Sequence, residues 1–162
     1  MSDAGERALA HAEIRSVLAL YYQALDARDL ETLRTRVMAE DATWRFVQRA
    51  GTGRFEDEAS GRDAVVDWFA RMLGGDVTMG EGEVVHSIDT TVIELAGERA
   101  TSSSVVRCVD VAKLALVAAG RARAELVRTR EGWRIRRYEI DERITDDDMR
   151  ALQAALAGAP DA

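Results

Sequence analysis

The chain has 162 residues, 47% of them hydrophobic and 31% charged, the balance of a folded protein with enough volume for a sizeable core. A net charge of −7 argues against nucleic acid, because a phosphate backbone needs a basic face. The arginines at 121, 123, 128, 130, 134, 136 and 137 are interleaved with Glu125, Glu131, Glu139, Asp141 and Glu142, which reads as cross-strand ion pairs on a solvated sheet face. Cys108 is the only cysteine, which excludes an internal disulfide and a multi-cysteine metal site. The first residues lack the pattern of a signal peptide, and no apolar run approaches the ~20 residues that cross a bilayer. A soluble, cytoplasmic protein with no membrane partner is expected.

In chain order, Ser2 or Asp3 caps a first helix running to about Arg28, with Ile14, Leu18, Tyr21 and Leu25 on one stripe. Asp29 caps a second helix, Leu30 to about Met38. A short aromatic and β-branched strand follows, Asp41 to Val47. Gly51, Gly53 and Gly61 bracket an acidic loop, Phe55 to Ser60, with room for a small hairpin. Arg62 to about Leu73 is a third helix that buries Val65, Val66, Trp68, Phe69 and Met72. The apolar period then changes from 3.6 to 2. Glu83–Leu95, Ala100–Lys113, Leu114–Thr129 and Trp133–Ile140 read as four strands of an antiparallel meander. Thr145 caps a final helix over about 145–157, carrying Met149, Leu152 and Leu156. With no internal repeat or linker, one domain over 1–162 is expected.

The fold class that follows is α+β: a cone-shaped barrel made of a strongly bent antiparallel sheet. Three N-terminal helices pack on its concave face, and a short C-terminal helix follows. A cavity between helices and sheet is the sort of concave site that small ligands occupy.

The ordered set Ile14…Tyr21-Tyr22-x-Ala-Leu-Asp26-x-x-Asp29-x-x-x-Leu33, Asp41-Ala42, Gly61-x-x-Ala64, His86, Gly97-x-x-Ala100 and Gly132-Trp133-Arg134-Ile135 resembles the SnoaL-like branch of the nuclear-transport-factor-2-like superfamily, over about residues 8–141. Within that superfamily the nearest functional pattern is that of scytalone dehydratase, in which a helix-1 aspartate and a strand histidine move protons. The resemblance assigns those roles to Asp26 and His86. Leu25 stands where that enzyme has a tyrosine, and Phe46 where a second pocket tyrosine lies, so Tyr21 or Tyr22 would have to supply the hydroxyls. A likeness to ketosteroid isomerase would make Tyr21 an oxyanion donor. Its two acids, however, fall at Phe46 and near Ala124. The family's Gly-x-Tyr-x-Asp run reads here Gly120-Arg121-Ala122-Arg123-Ala124.

His86, Asp26, Tyr22 and Tyr21 are therefore the candidate catalytic residues, with no metal and no cofactor. A histidine held by a carboxylate keeps one tautomer and takes a proton. Otherwise Asp26 caps the following helix or pairs with Arg28, and His86 fills a core position. Being adjacent, the two tyrosines point about 100° apart on a helix, one into the core and one to the pocket edge. Trp44, Phe46, Trp68, Phe69, Cys108, Asp110 and Ala124 are the candidate substrate-lining residues. Asp110 is either a second acid on an inward strand face or turned to water at a bulge, and Cys108 reads as a small buried hydrophobe. The second histidine, His11, belongs to the solvated face of helix 1. The function expected is a dehydratase, isomerase or cyclase acting on a small, mostly apolar, oxygenated molecule, and the resemblance implies a homodimer of the kind this fold often forms. The alternatives are a non-catalytic ligand-binding pocket and a dimerisation module.

Overall fold

The computed structural model describes residues 3–51, 53–74 and 84–157. Helix α1 (Asp3–Asp26) buries Ile14, Leu18, Tyr21 and Leu25, the stripe expected from the sequence. It ends in a Schellman turn: Asp29 N–H donates to Ala24 O at 2.8 Å and Arg28 N–H to Leu25 O at 3.0 Å. Arg28 takes the left-handed backbone (φ 56°) that glycine usually fills there. Its guanidinium donates to Leu73 O at 2.9 Å, anchoring the turn. The expected second helix is shorter than its sequence suggests. Asp29 does cap it, accepting from Thr32 N–H at 3.0 Å. However, α2 (Leu30–Thr32) passes at once into a π-helical turn, Leu33–Val37, and Met38 is already strand.

Six strands form one sheet: β1 (Met38–Ala50), β2 (Gly53–Ser60), β3 (Val84–Ala96), β4 (Arg99–Asp110), β5 (Ala115–Thr129) and β6 (Gly132–Ile144). Helix α3 (Arg62–Gly74) lies between β2 and β3, and α4 (Asp146–Ala157) follows β6. The spatial order is β2-β1-β6-β5-β4-β3. The antiparallel meander holds from β3 to β6. Two features were not read from the sequence. The acidic stretch after Gly53 is the regular strand β2, paired antiparallel with β1. In addition, β1 lies parallel to β6, Trp44 beside Tyr138 and Gln48 beside Glu142. An acidic strand at a sheet edge alternates little in hydropathy, so β2 gave no period-2 signal.

The concave face carries Trp44, Phe46, Val106, Cys108, Ala122, Ala124, Tyr138 and Ile140, all buried, with α1 and α3 against it. A bulge between Asp89 and Val92, with Thr90 at φ 46°, shifts the parity of β3. His86, Ile88 and Ile93 consequently all fall beside inward residues of β4, namely Cys108, Val106 and Ser102. The convex face is the expected lattice of ion pairs: Arg49–Asp141 at 2.7 Å, Arg45–Glu139 at 3.3 Å, Arg136–Asp41 at 2.8 Å and Arg107 with Asp89. Glu142 departs from that expectation. Strand β6 continues past Ile140, and Glu142 is 4% exposed on the inner side. Thr145 caps α4 by accepting from Asp148 N–H at 3.1 Å.

Gly120 makes the inward position of Glu142 sterically possible. A Cβ there would lie 2.2 Å from Asp141 O and 2.4 Å from Glu142 Cα, so β5 and β6 approach where a side chain would otherwise stand. The atoms it would meet are backbone and cannot swing aside. Gly120→Ala is expected to destabilise the protein by about 1–3 kcal/mol, the range for overpacking a filled site, measured as a loss of urea midpoint with an unchanged slope.

Candidate functional site

Asp26 is the last residue of α1 and His86 the third residue of β3. The Schellman turn stops the helix beyond Asp26, and the edge strand passes in front of it. The carboxylate takes two hydrogen bonds from one residue: Oδ2 accepts from His86 N–H at 3.0 Å, and Oδ1 lies 2.6 Å from His86 Nδ1. An aspartate at a helix C-terminus faces the negative end of the dipole, and these donors offset that. With Nδ1–H given to the carboxylate, Nε2 carries the free lone pair. The two side chains are 17% and 20% exposed, so the pair is sheltered and still reachable.

Tyr22 stacks on the imidazole, centroids 5.2 Å apart and planes 26° from parallel, which fixes the ring's orientation. Its hydroxyl is 2.6 Å from that of Tyr138 on β6. Tyr21 packs on Tyr138 at 4.5 Å, and its hydroxyl accepts from Trp44 Nε1–H at 2.9 Å. Both helix tyrosines are thus buried, at 2% and 3% exposure, where one was expected at a pocket edge. The hydroxyls compensate each other inside, so neither has to reach water. Burial raises the pKa of Tyr21, Tyr22 and Tyr138 well above the ordinary phenol value.

The candidate lining residues divide. Trp44, Phe46, Trp68 and Phe69 form one aromatic cluster, Trp44 and Trp68 only 4.1 Å apart, and it fills the concave side at this level instead of leaving it open. Trp68 Nε1–H donates to Asp57 Oδ2 at 2.7 Å. Cys108 and Ala124 are buried on the inner face, and burial pushes the Cys108 thiol far above the thiolate range, so it is inert. Asp110 lies on the inward face, as the first of its two readings has it. It is fully buried, yet its carboxylate holds the β4–β5 turn, accepting from Lys113 N–H at 3.0 Å with the Lys113 ammonium at 3.3 Å. Those donors hold its pKa below the usual carboxylate value. A groove of about 410 Å³ lies across the sheet from Val92 to Glu139, lined largely by the convex face. Among the described residues no group of three or more His, Cys, Asp or Glu side chains could hold a metal ion, and no helix is long and apolar enough to cross a membrane.

Tyr138, Gln48 and Glu142 were not singled out from the sequence. Gln48 Nε2–H donates to Glu142 Oε1 at 2.8 Å, both residues buried. Their signal was strand parity: 44, 46, 48 and 138, 140, 142 each continue one inner face. Burial raises the Glu142 carboxyl above its ordinary 4.5, while the Gln48 hydrogen bond and the charge of His86 pull it back.

The SnoaL-like domain model matches residues 6–139. The chain belongs to the SnoaL-like domain family. No curated protein sequence matches it significantly. Among solved structures it is similar to LinA (TM-score 0.67, 19% identity, 88% of this chain and 90% of that one). It is also similar to a putative aromatic ring hydroxylase from Novosphingobium aromaticivorans (0.63, 21%, 85% and 94%). A third is an NTF2-like protein of unknown function from Pseudomonas putida (0.64, 20%, 87% and 88%). At these identities the likeness is one of fold.

A raised carboxyl favours the fold while protonated, so the contribution of Glu142 is complete below 4.5 and is lost as pH rises through its folded value. Glu142→Gln keeps a neutral amide in that place. The difference in Tm, variant minus wild type, is expected to grow as pH rises from about 4.5, and a difference independent of pH would refute a neutral Glu142.

Proposed function

We propose that this SnoaL-like protein is a cofactor-independent acid–base enzyme, a dehydratase, isomerase or cyclase for a small, mostly apolar, oxygenated molecule. The observation that carries the reading is the contact of His86 Nδ1 with Asp26 Oδ1 at 2.6 Å, which leaves Nε2 as a base in a sheltered place. In the step these enzymes share, Nε2 takes a proton from the carbon beside a carbonyl. Asp26 stabilises the resulting imidazolium, and Tyr22 keeps the ring in plane. The aromatic cluster beside the site suits an unsaturated ring better than a sugar or a phosphate. One observation favours a non-catalytic module instead: the part of the concave side next to β1 is filled by Trp44, Phe46, Trp68 and Phe69.

A panel of hydroxylated aromatic and polyketide-like ketones, screened by tryptophan quenching and then for turnover, tests the reading. Asp26→Asn and His86→Ala are each expected to lose roughly 10²–10⁴-fold in turnover, and the double variant little more. If His86→Ala turns over at the wild-type rate, the pair is only a tie between helix and sheet.

The same reading includes a homodimer through the convex sheet face. Arg123 and Arg137 stand there beside Glu94, Glu125 and Glu139, a mixed-sign surface that can match itself across a twofold axis. Light scattering at tens of micromolar is expected to give twice the chain mass and, because the contact is polar, to fall toward the monomer mass in high salt.

A further inference from the structure

Glu142 is a buried carboxyl that the dyad does not use. We propose that it is a second proton-transfer group of the same site, giving its proton to a substrate oxygen while His86 takes one from carbon. The inference rests on the acid–base reading above.

The sheet register sets the two groups on one inner surface. His86 on β3 is beside Cys108 on β4, Val106 is beside Gly120 on β5, and Gly120 is beside Glu142 on β6. Between the imidazole and the carboxyl the floor is thus small: Cys108, Ala118, and the bare backbone of Gly120. The thiol of Cys108 lies within the electrostatic reach of both Glu142 and Asp26, and the Glu142 carboxyl within that of His86. Curvature of the sheet brings the ends of this row toward each other. Gly120 puts no side chain between them: a Cβ there would lie 2.5 Å from Glu142 Cβ, on the inner face that Glu142 shares.

The surroundings make Glu142 a donor and not a counter-ion. It is 4% exposed, and among the described residues no arginine or lysine pairs with it. Its hydrogen bond is to the neutral amide of Gln48. The titratable groups facing it are Tyr21 and Tyr22 from α1, Tyr138 from its own strand, Cys108 from β4 and His86 from β3. Burial keeps the phenols and the thiol neutral, and the charges of Asp26 and Asp148 are felt at Cys108. In the step, the C–H pair moves into a C=C bond as His86 Nε2 binds the proton, and the carbonyl π pair takes the Glu142 proton to give the enol. The products are imidazolium and carboxylate, and the return of one proton between them closes the cycle.

The test begins without substrate. In protein labelled with carboxyl-¹³C glutamate, the resonance lost in Glu142→Gln is expected to have its midpoint above the ordinary 4.5, rising further in His86→Ala. An ordinary midpoint, or one indifferent to His86, overturns the proposal. Where a panel compound is turned over, Glu142→Gln is expected to lose roughly 10²-fold or more in kcat and the alkaline limb of kcat/KM, with KM little changed. An alkaline limb that persists in the variant overturns the proposal while leaving the dyad intact. Conversely, full turnover in His86→Ala removes the dyad reading and this proposal with it. Should Glu142→Gln fail to fold, Gln48→Leu serves instead: loss of its hydrogen bond is expected to move the carboxyl midpoint and the alkaline limb upward together.

Discussion

Asp26 is a carboxylate in the last turn of a helix, where the dipole is against it, and much of the molecule is arranged to satisfy it. The cost of such a placement is about 0.3–1 kcal/mol at a surface and more when water is partly withdrawn. Two donors from His86 answer it, one from the backbone and one from the ring. A single residue thereby ties the helical layer to the edge of the sheet across 60 positions of sequence. The π-turn, the left-handed Arg28 and the guanidinium bond to Leu73 all serve the sharp exit of the chain just beyond it. The contact is a structural restraint in its own right, joining the end of α1 to the third residue of β3.

Around that contact the interior is aromatic. Trp44 gives its N–H to Tyr21, Tyr22 shares a proton with Tyr138, and Trp68 gives its N–H to Asp57. Each of these polar tips has a protein partner, which lets the large rings pack together on the β1 and α3 side of the concave face. At the edge of this packing His86 and Asp26 remain partly exposed.

Where apolar period and turn chemistry agreed, the sequence was legible. The first and third helices, the four-strand meander and the stripe Ile14-Leu18-Tyr21-Leu25 all appear as read, and Asp26 and His86 meet as the family resemblance implied. Long-range pairing was not legible, because β1 finds its parallel neighbour β6 only after the meander exists. Polar residues that continue an inner face were equally hidden. Gln48 and Glu142 sit one step beyond the apolar runs Trp44-Phe46 and Tyr138-Ile140, at the positions where a hydropathy reading ends a strand. Asp110 misled in the opposite sense: it has inward parity, but a turn consumes it.

The parallel seam between β1 and β6 also bears on how the chain reaches this state. Hairpins β3–β4, β4–β5 and β5–β6 close over short loops, whereas Gln48 and Glu142 are 94 residues apart. The entropy of closing that long span has to be met before the seam contributes any stability, the situation that slows folding in proteins rich in non-local pairs. On a ribosome the N-terminal half, with β1 and its rings, must wait for the last strand to be synthesised. Until then Trp44 and Phe46 have no sheet to cover them, and the acidic edge of β2, Glu56-Asp57-Glu58, is the part of the nascent chain best suited to discourage mispairing through β1.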